Sequence, residues 1–260
     1  HTPWDWHQII FDHCHKKNLI CFSSPFDHSA VDFLEKLNVP AYKIASFENT
    51  DHAILAAVAK TGKPVIVSTG MASQAEIAES VEVLRSNGCN DIILLKCTSN
   101  YPANPVDANL KTIPHLSELF DCHVGLSDHT PGVGVAVAAV ALGATVIEKH
   151  FVLDRNGGEV DAEFSLEPHE IKLLVEETAR AAVAIGKVSY GATEREKASL
   201  VHRRSLYIAK DMKAGDILNA QNLRSVRPGL GLPPKYLPLL LGKQIKCDAP
   251  KGTPMSWELL

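Results

Sequence analysis

Short, wholly apolar runs alternate with longer amphipathic or small-residue stretches through the first two thirds of the chain. The apolar runs fall at residues 19–23 (LICFS), 41–46 (AYKIAS), 65–68 (VIVS), 92–97 (IILLKC), around 124, and 145–150 (TVIEKH). Runs this short, apolar at nearly every position, suit strands buried on both faces of a parallel sheet. Residues 9–18, 30–37, 53–60, 74–85 and 133–144 read as the intervening helices. Two of them close on Thr61-Gly62-Lys63-Pro64 and Asn87-Gly88, with glycine just past the end. Strands alternating with helices mean a parallel sheet with right-handed crossovers. The pattern predicts six strands, and an α/β barrel of the (β/α)8 type lacking its first two strands is the economical architecture.

Between Pro102 and Cys122 the rhythm breaks into a proline-interrupted connection. A gapped loop at 154–164 follows the last strand, and Pro168 stands near the first turn of a long helix over 170–185. Then the texture changes. Residues 1–188 read as the partial barrel, 189–203 as a polar, charged linker, and 204–260 as a small β-rich domain of short strands, glycines and prolines.

Composition narrows the function classes. The net charge of −4 comes with scattered Lys and Arg, which leaves no basic footprint for nucleic acid. The longest apolar run, 133–144, is too short and too rich in Gly and Ala to span a bilayer. No signal peptide is visible, and Cys14, Cys21, Cys89, Cys97, Cys122 and Cys247 form no CxxC pair. They read as reduced, buried thiols of a cytoplasmic protein.

Candidate chemistry clusters just after the strands, where a barrel places its site. The stretch from Cys122 to Phe151 is strand, helix, strand, and each strand ends on a histidine, His129 and His150. Two neutral imidazoles brought to one point can hold a divalent metal and leave most of its sphere open; the alternative is a turn cap and a packed core residue. Glu148, two residues before His150, shares its strand face and belongs near that site. Ser24, Ser46, Ser68 and Thr69, residues 98–101 and Ser127 supply hydroxyls that suit an anionic ligand, although a serine there also caps helices. Lys43 lies inside an apolar strand, where burial is costly unless an anion meets it. Glu48 suits proton transfer or a helix start, and Asp161 a sugar hydroxyl or a solvated loop.

The strings FSSPFD, AYKIASFEN, KPVIVSTGMAS, LLKCTSNYP, VGLSDHT and VIEKHF, in this order, resemble the sialic acid synthase family. The tail HRRSLYIAKDMKAGD with RPGLGL resembles that family's carboxy-terminal antifreeze-like (SAF) domain, and VDAEFSLEP, LKCTSNYPA and RPGLGLPPKY look most like its pseudaminic acid branch. The resemblance implies condensation of phosphoenolpyruvate with an N-acylated hexose, a 2,4-diacetamido-2,4,6-trideoxy-altrose, to a nine-carbon 2-keto acid with release of phosphate. It implies a Mn2+-type ion (Mg2+ or Co2+ being alternatives) on His129 and His150. By the same resemblance Ser24 and Lys43 hold the carboxylate side of phosphoenolpyruvate, and Ser46, Ser68 and Ser127 its phosphate, with Ser99 a further substrate-binding position. Glu48 stands beside the aldehyde, and Tyr101 and Asp161 touch the sugar. Arg227 would enter the barrel of a partner in a domain-swapped homodimer.

Ser99 stands where the family often has asparagine, and His202 replaces an aromatic residue. The chain starts at His1 in a loop-like stretch without methionine, so the expectation is a fragment: a six-stranded open barrel, inactive by itself, without the family's first two strands and their lysine and glutamine. Alternative readings are an N-acetylneuraminate or legionaminate synthase, a phosphoenolpyruvate aldolase of the 3-deoxy-octulosonate type, which the SAF-like tail opposes, and a non-catalytic protein retaining the fold.

Overall fold

The predicted alternation is present in a computed structural model, which describes residues 2–260. Strands β1 (Tyr42–Ile44), β2 (Val65–Ser68), β3 (Ile92–Cys97), β4 (His123–Asp128) and β5 (Val146–Lys149) form one parallel sheet in sequence order, a half-barrel. Helices α1 (Trp4–Lys16), α2 (His28–Lys36), α3 (His52–Ala59), α4 (Gln74–Ser86), α5 (Thr112–Phe120), α6 (Gly134–Ala141) and α7 (Pro168–Ile185) belong to the same unit, which ends at Gly186. The second unit, Lys187–Leu260, holds the antiparallel pair β6 (Ser205–Ile208) and β7 (Leu223–Val226) and the single turn α8 (Leu237–Leu240). The expected linker is a run of 3-10 turns over Glu194–His202. No described helix is long and apolar enough to cross a membrane.

Strand parity sorts the barrel side chains by face. Tyr42, Ile44, Val65, Val67, Ile92, Leu94, Val124 and Leu126 pack with the helices in the main core. Lys43, Ser68, Cys97, Ser127 and Glu148 occupy the alternate positions. One face therefore supplies cohesion and the other chemistry.

Two expectations fail on inspection. The run at 19–23 is no strand: it contributes a single parallel bridge, Ser23 to Tyr42, and Leu19 and Ile20 are exposed. The sheet is therefore five-stranded, not six. The cause is local. Helix α1 ends with Asn18 at φ 55°, and the Leu19 N–H donates to the Cys14 carbonyl, closing the helix end. That N–H is taken from any ladder, and an apolar run finds no second neighbour to bury its other face. The second failure is α5, which the prolines concealed. Pro114 sits in the first turn, where its missing N–H has no intrahelical partner to lose. A smaller correction concerns the thiols: all six are free, but only Cys89 and Cys97 are buried.

Gly125 is the tightest point of the sheet. A Cβ there would collide with the Val146 carbonyl oxygen and approach Leu95 Cδ2 at 2.7 Å, so β4 and β5 pack this closely only over glycine. Gly125→Ala is expected to destabilise by about 1–3 kcal/mol in urea unfolding. Gly134→Ala, at an open position starting α6, should cost nothing measurable. Equal midpoints for the two variants would contradict this packing.

Candidate active site

The carboxyl ends of β1 to β5 deliver their side chains to one polar cluster. From β1, Lys43 is only 8% exposed; its Nζ donates to Ser68 Oγ of β2 at 2.8 Å and to the Ile44 carbonyl at 3.2 Å, and pairs with Glu148 of β5 at 3.5 Å. Ser127 of β4 donates to the other oxygen of Glu148 at 2.7 Å. The buried lysine thus does meet an anion, and Glu148 joins the cluster as expected from its strand face. Beside it, Ser46 Oγ accepts the Gly70 N–H at 3.1 Å. A Cβ on Gly70 would strike both the Ser46 and Ser99 hydroxyls, so this glycine keeps open a small hydroxyl-lined cradle. Asn49 braces it, donating to the Ser68 carbonyl at 3.2 Å.

His129 and His150 follow β4 and β5, and their ring centroids lie 5.2 Å apart with planes at 70°. His129 Nδ1 donates to the Thr98 carbonyl at 2.9 Å, which orients the ring and turns Nε2 away from that carbonyl. His150 Nδ1 faces the Asp161 carboxylate at 3.7 Å. Two imidazoles this close can offer one nitrogen each to a shared divalent ion. The pair therefore fits a divalent metal, with the outer nitrogen of each ring already oriented by an oxygen. The three groups Glu167, His169 and Glu170 also approach one another, but Glu167 and Glu170 serve the start of α7 and hold Arg155.

What holds the two histidines opposite each other is a cross-strand ladder with two faces. Ser127 stands opposite Glu148, and Asp128 opposite Lys149. The second pair is turned the other way and has side chains 2% exposed, with Lys149 Nζ at 3.1 Å from Asp128 Oδ2 and donating also to the Thr130 carbonyl. The other Asp128 oxygen accepts from the Thr130 N–H and hydroxyl. Both carboxylate oxygens and the ammonium of this buried pair have hydrogen-bond partners, the condition under which such a pair is tolerated.

Around the imidazoles, Tyr101 lies 4.3 Å from His129, and Phe164 lies 4.9 Å from His150, centroid to centroid. Asp161 adopts φ 64°, a left-handed conformation uncommon for a residue with a side chain and typical of functional loops. Burial pulls His150 below its ordinary value, and the neighbouring His129 charge adds to this. Burial opposes ionisation of Cys97, yet hydrogen bonds with His129 and Ser46 bring it down to about 7. Glu48 is raised by burial, and its Oε2 is buried without a partner.

Of the expected residues, the structure gathers Lys43, Ser46, Ser68, Ser99, Ser127, His129, His150, Tyr101 and Asp161 into this one network of contacts, with Glu48 within the field of Lys43. Ser24 stands one residue past the lone bridge to Tyr42, and its side chain makes no hydrogen bond among the described residues. Arg227 belongs to the second unit. Cys97, Phe164, Gly70 and the Asp128–Lys149 pair were not anticipated. Only the last had a signal, opposite charges one residue before each histidine.

Comparison with known proteins follows the same outline. The NeuB family matches residues 1–190, and the SAF domain matches residues 203–260. The chain belongs to the NeuB family. It is 44% identical to the pseudaminic acid synthase of Campylobacter jejuni over 96% of this chain and 73% of that protein. It is 41% identical to the N,N'-diacetyllegionaminic acid synthase of the same species, over 91% and 72%. Among solved structures, the N-acetylneuraminic acid synthetase of Leptospira borgpetersenii superposes with a TM-score of 0.72 at 35% identity, covering 76% of this chain and 70% of that one.

The raised Glu48 has a consequence for stability. Below the ordinary carboxylate range both folded and unfolded chains are protonated and the group is neutral to folding. As pH rises the unfolded chain ionises first, so the carboxylate increasingly destabilises the fold until its own raised value is passed. Glu48→Gln is therefore expected to raise the melting temperature at pH 7 and to leave it unchanged near pH 3. A stabilisation independent of pH would contradict a half-buried, desolvated Glu48.

Proposed function

We propose that this NeuB-family chain is a pseudaminic acid synthase, joining phosphoenolpyruvate to 2,4-diacetamido-2,4,6-trideoxy-altrose. The reading rests on one observation above all. A hydroxyl-and-lysine cradle sits beside two converging histidines at the strand ends, in a chain whose relatives are synthases of such sugar acids.

In this reading Lys43, Ser46, Ser68 and Ser127 bind the anionic groups of phosphoenolpyruvate, with Ser99 and Gly70 shaping the phosphate cradle and Ser24 at the carboxylate side. The exchange is electrostatically reasonable. A phosphate oxygen can take the place of the Ser68 and Glu148 contacts that Lys43 makes here. His129 and His150 would hold the ion, Mn2+ or alternatively Mg2+ or Co2+. Bound there, it would supply Lewis-acid polarisation of the open-chain aldehyde. Tyr101 and Asp161 position the sugar, and Phe164 walls the site against bulk water. The enol carbon forms the new bond to the aldehyde carbon, water adds at C2, and phosphate departs with cleavage of its C–O bond. Glu48, desolvated and raised, is suited to manage a proton at the former aldehyde oxygen.

Arg227 is proposed to complete the site of a second copy in a swapped homodimer. The charge distribution supports such an exchange: residues 187–260 carry 13 Lys and Arg against 6 Asp and Glu, and residues 1–186 carry 13 against 24. A cytoplasmic location accords with substrates of this kind.

Phosphate release, measured on the protein with a complete eight-stranded barrel, tests the reading. Turnover is expected with the diacetamido altrose and not with N-acetylmannosamine; the reverse preference would assign an N-acetylneuraminate synthase, and preference for the legionaminate precursor the third branch. For the partner, Arg227→Ala and His150→Ala chains, each inactive, should regain activity on mixing, because half of the heterodimer's sites are intact. Absence of complementation with verified subunit exchange would contradict the swap.

A further inference from the structure

The second unit has a cavity of its own. Its volume is about 520 Å³, and its lining includes Tyr207, Lys210, Arg224, Arg227 and Lys251 with no carboxylate. The register of the hairpin builds it, since Tyr207 on β6 stands directly opposite Arg224 on β7 and so on the same face. The adjacent residues Leu206 and Ile208 turn to the core of this unit. Tyr207 is nine-tenths buried, and its hydroxyl has no hydrogen-bond partner. A buried phenol left this way is costly unless a ligand supplies the missing partner.

The cations are equally unmatched. Among the described residues none of the four forms an ion pair, whereas Lys213 of the same unit pairs with Asp248 at 2.7 Å. Lys210 reaches only the Gln221 side-chain oxygen, at 3.5 Å. Asp211, next in sequence, spends its carboxylate on the Lys251 backbone N–H. Four positive groups gathered on one concavity repel each other unless an anion joins them. Ala209 and Val226 add apolar wall. The volume lies within the range of about 300–1,000 Å³ that small-molecule pockets occupy and is far larger than a bare phosphate needs.

We propose that this cavity is a second anion site, distinct from the barrel cluster, that takes a small organic molecule carrying a phosphate or carboxylate group. Arg224 and Lys251 meet the charge, Lys210 flanks it, and the Tyr207 ring forms the floor. The inference stands on the second unit alone and does not depend on the synthase reading.

Equilibrium dialysis of the full chain tests it, with phosphoenolpyruvate as the organic phosphate and N-acetylneuraminate as the sugar carboxylate. Each is measured on the parent chain, on Lys43→Met in the barrel, and on Arg224→Gln/Lys251→Gln in the cavity. At least one probe should show a site that survives Lys43→Met and is weakened tenfold or more by the cavity double variant. Arg224→Lys, which keeps the charge, should restore part of the binding, and Tyr207→Phe should weaken it severalfold. The probe retained identifies the ligand as phosphate or carboxylate. Binding abolished by Lys43→Met alone, or unchanged in the folded double variant, would overturn the proposal. So would a double variant that shifts only the dimer equilibrium, which would make the cavity a subunit contact.

Discussion

The pairing of β4 with β5 is the constraint on which the site depends. A strand pair slipped by one residue turns every side chain to the opposite face. Here the register is locked from both sides, by Ser127 on Glu148 toward the polar cluster and by Asp128 on Lys149 toward the helices. The outer pair is nearly inaccessible, so a slipped register would leave two buried charges without partners, at several kcal/mol. Gly125 allows the strands to approach closely enough for both contacts to form. His129 and His150 face each other because the residues before them cannot be displaced.

The inner cluster follows the same logic of mutual satisfaction. Lys43 is buried because Ser68 and Glu148 accept from it and oppose its charge, and Glu148 in turn is held by Ser127. These contacts keep the cluster assembled and are replaceable by a phosphate that supplies the same oxygens. Glu48 is the exception, a desolvated carboxylate whose buried oxygen is unpaired. Groups held at such a cost concentrate where chemistry is done.

Much of this was legible in the sequence, for identifiable reasons. The strands at 65–68 and 92–97 read correctly because their apolar runs are fully buried between layers, and the histidines because each ends such a run. Residues 19–23 misled because an apolar run states only a wish to be buried; Asn18 and Leu19 had already committed their backbone to the end of α1. Helix α5 was hidden by Pro114, which breaks a helix interior but not a first turn. The Gly70 cradle and the approach of Phe164 to the histidines depend on distances across loops, which periodicity does not encode. The cavity of the second unit escaped because its cations are far apart in sequence and converge only through the β6–β7 register.

The central claim is that the two-faced β4–β5 ladder brings His129 and His150 to one ion. Titration of the full chain with Mn2+, followed by electron paramagnetic resonance of the free ion, tests it without recourse to turnover. The decisive variant is Asp128→Asn/Lys149→Met, which removes the ladder's outer pair without leaving a lone buried charge. The account predicts one Mn2+ bound per parent chain, loss of that binding in His129→Ala, and affinity about 10–100-fold weaker in the double variant. Binding of parent strength in a folded double variant, or in His129→Ala, would contradict it.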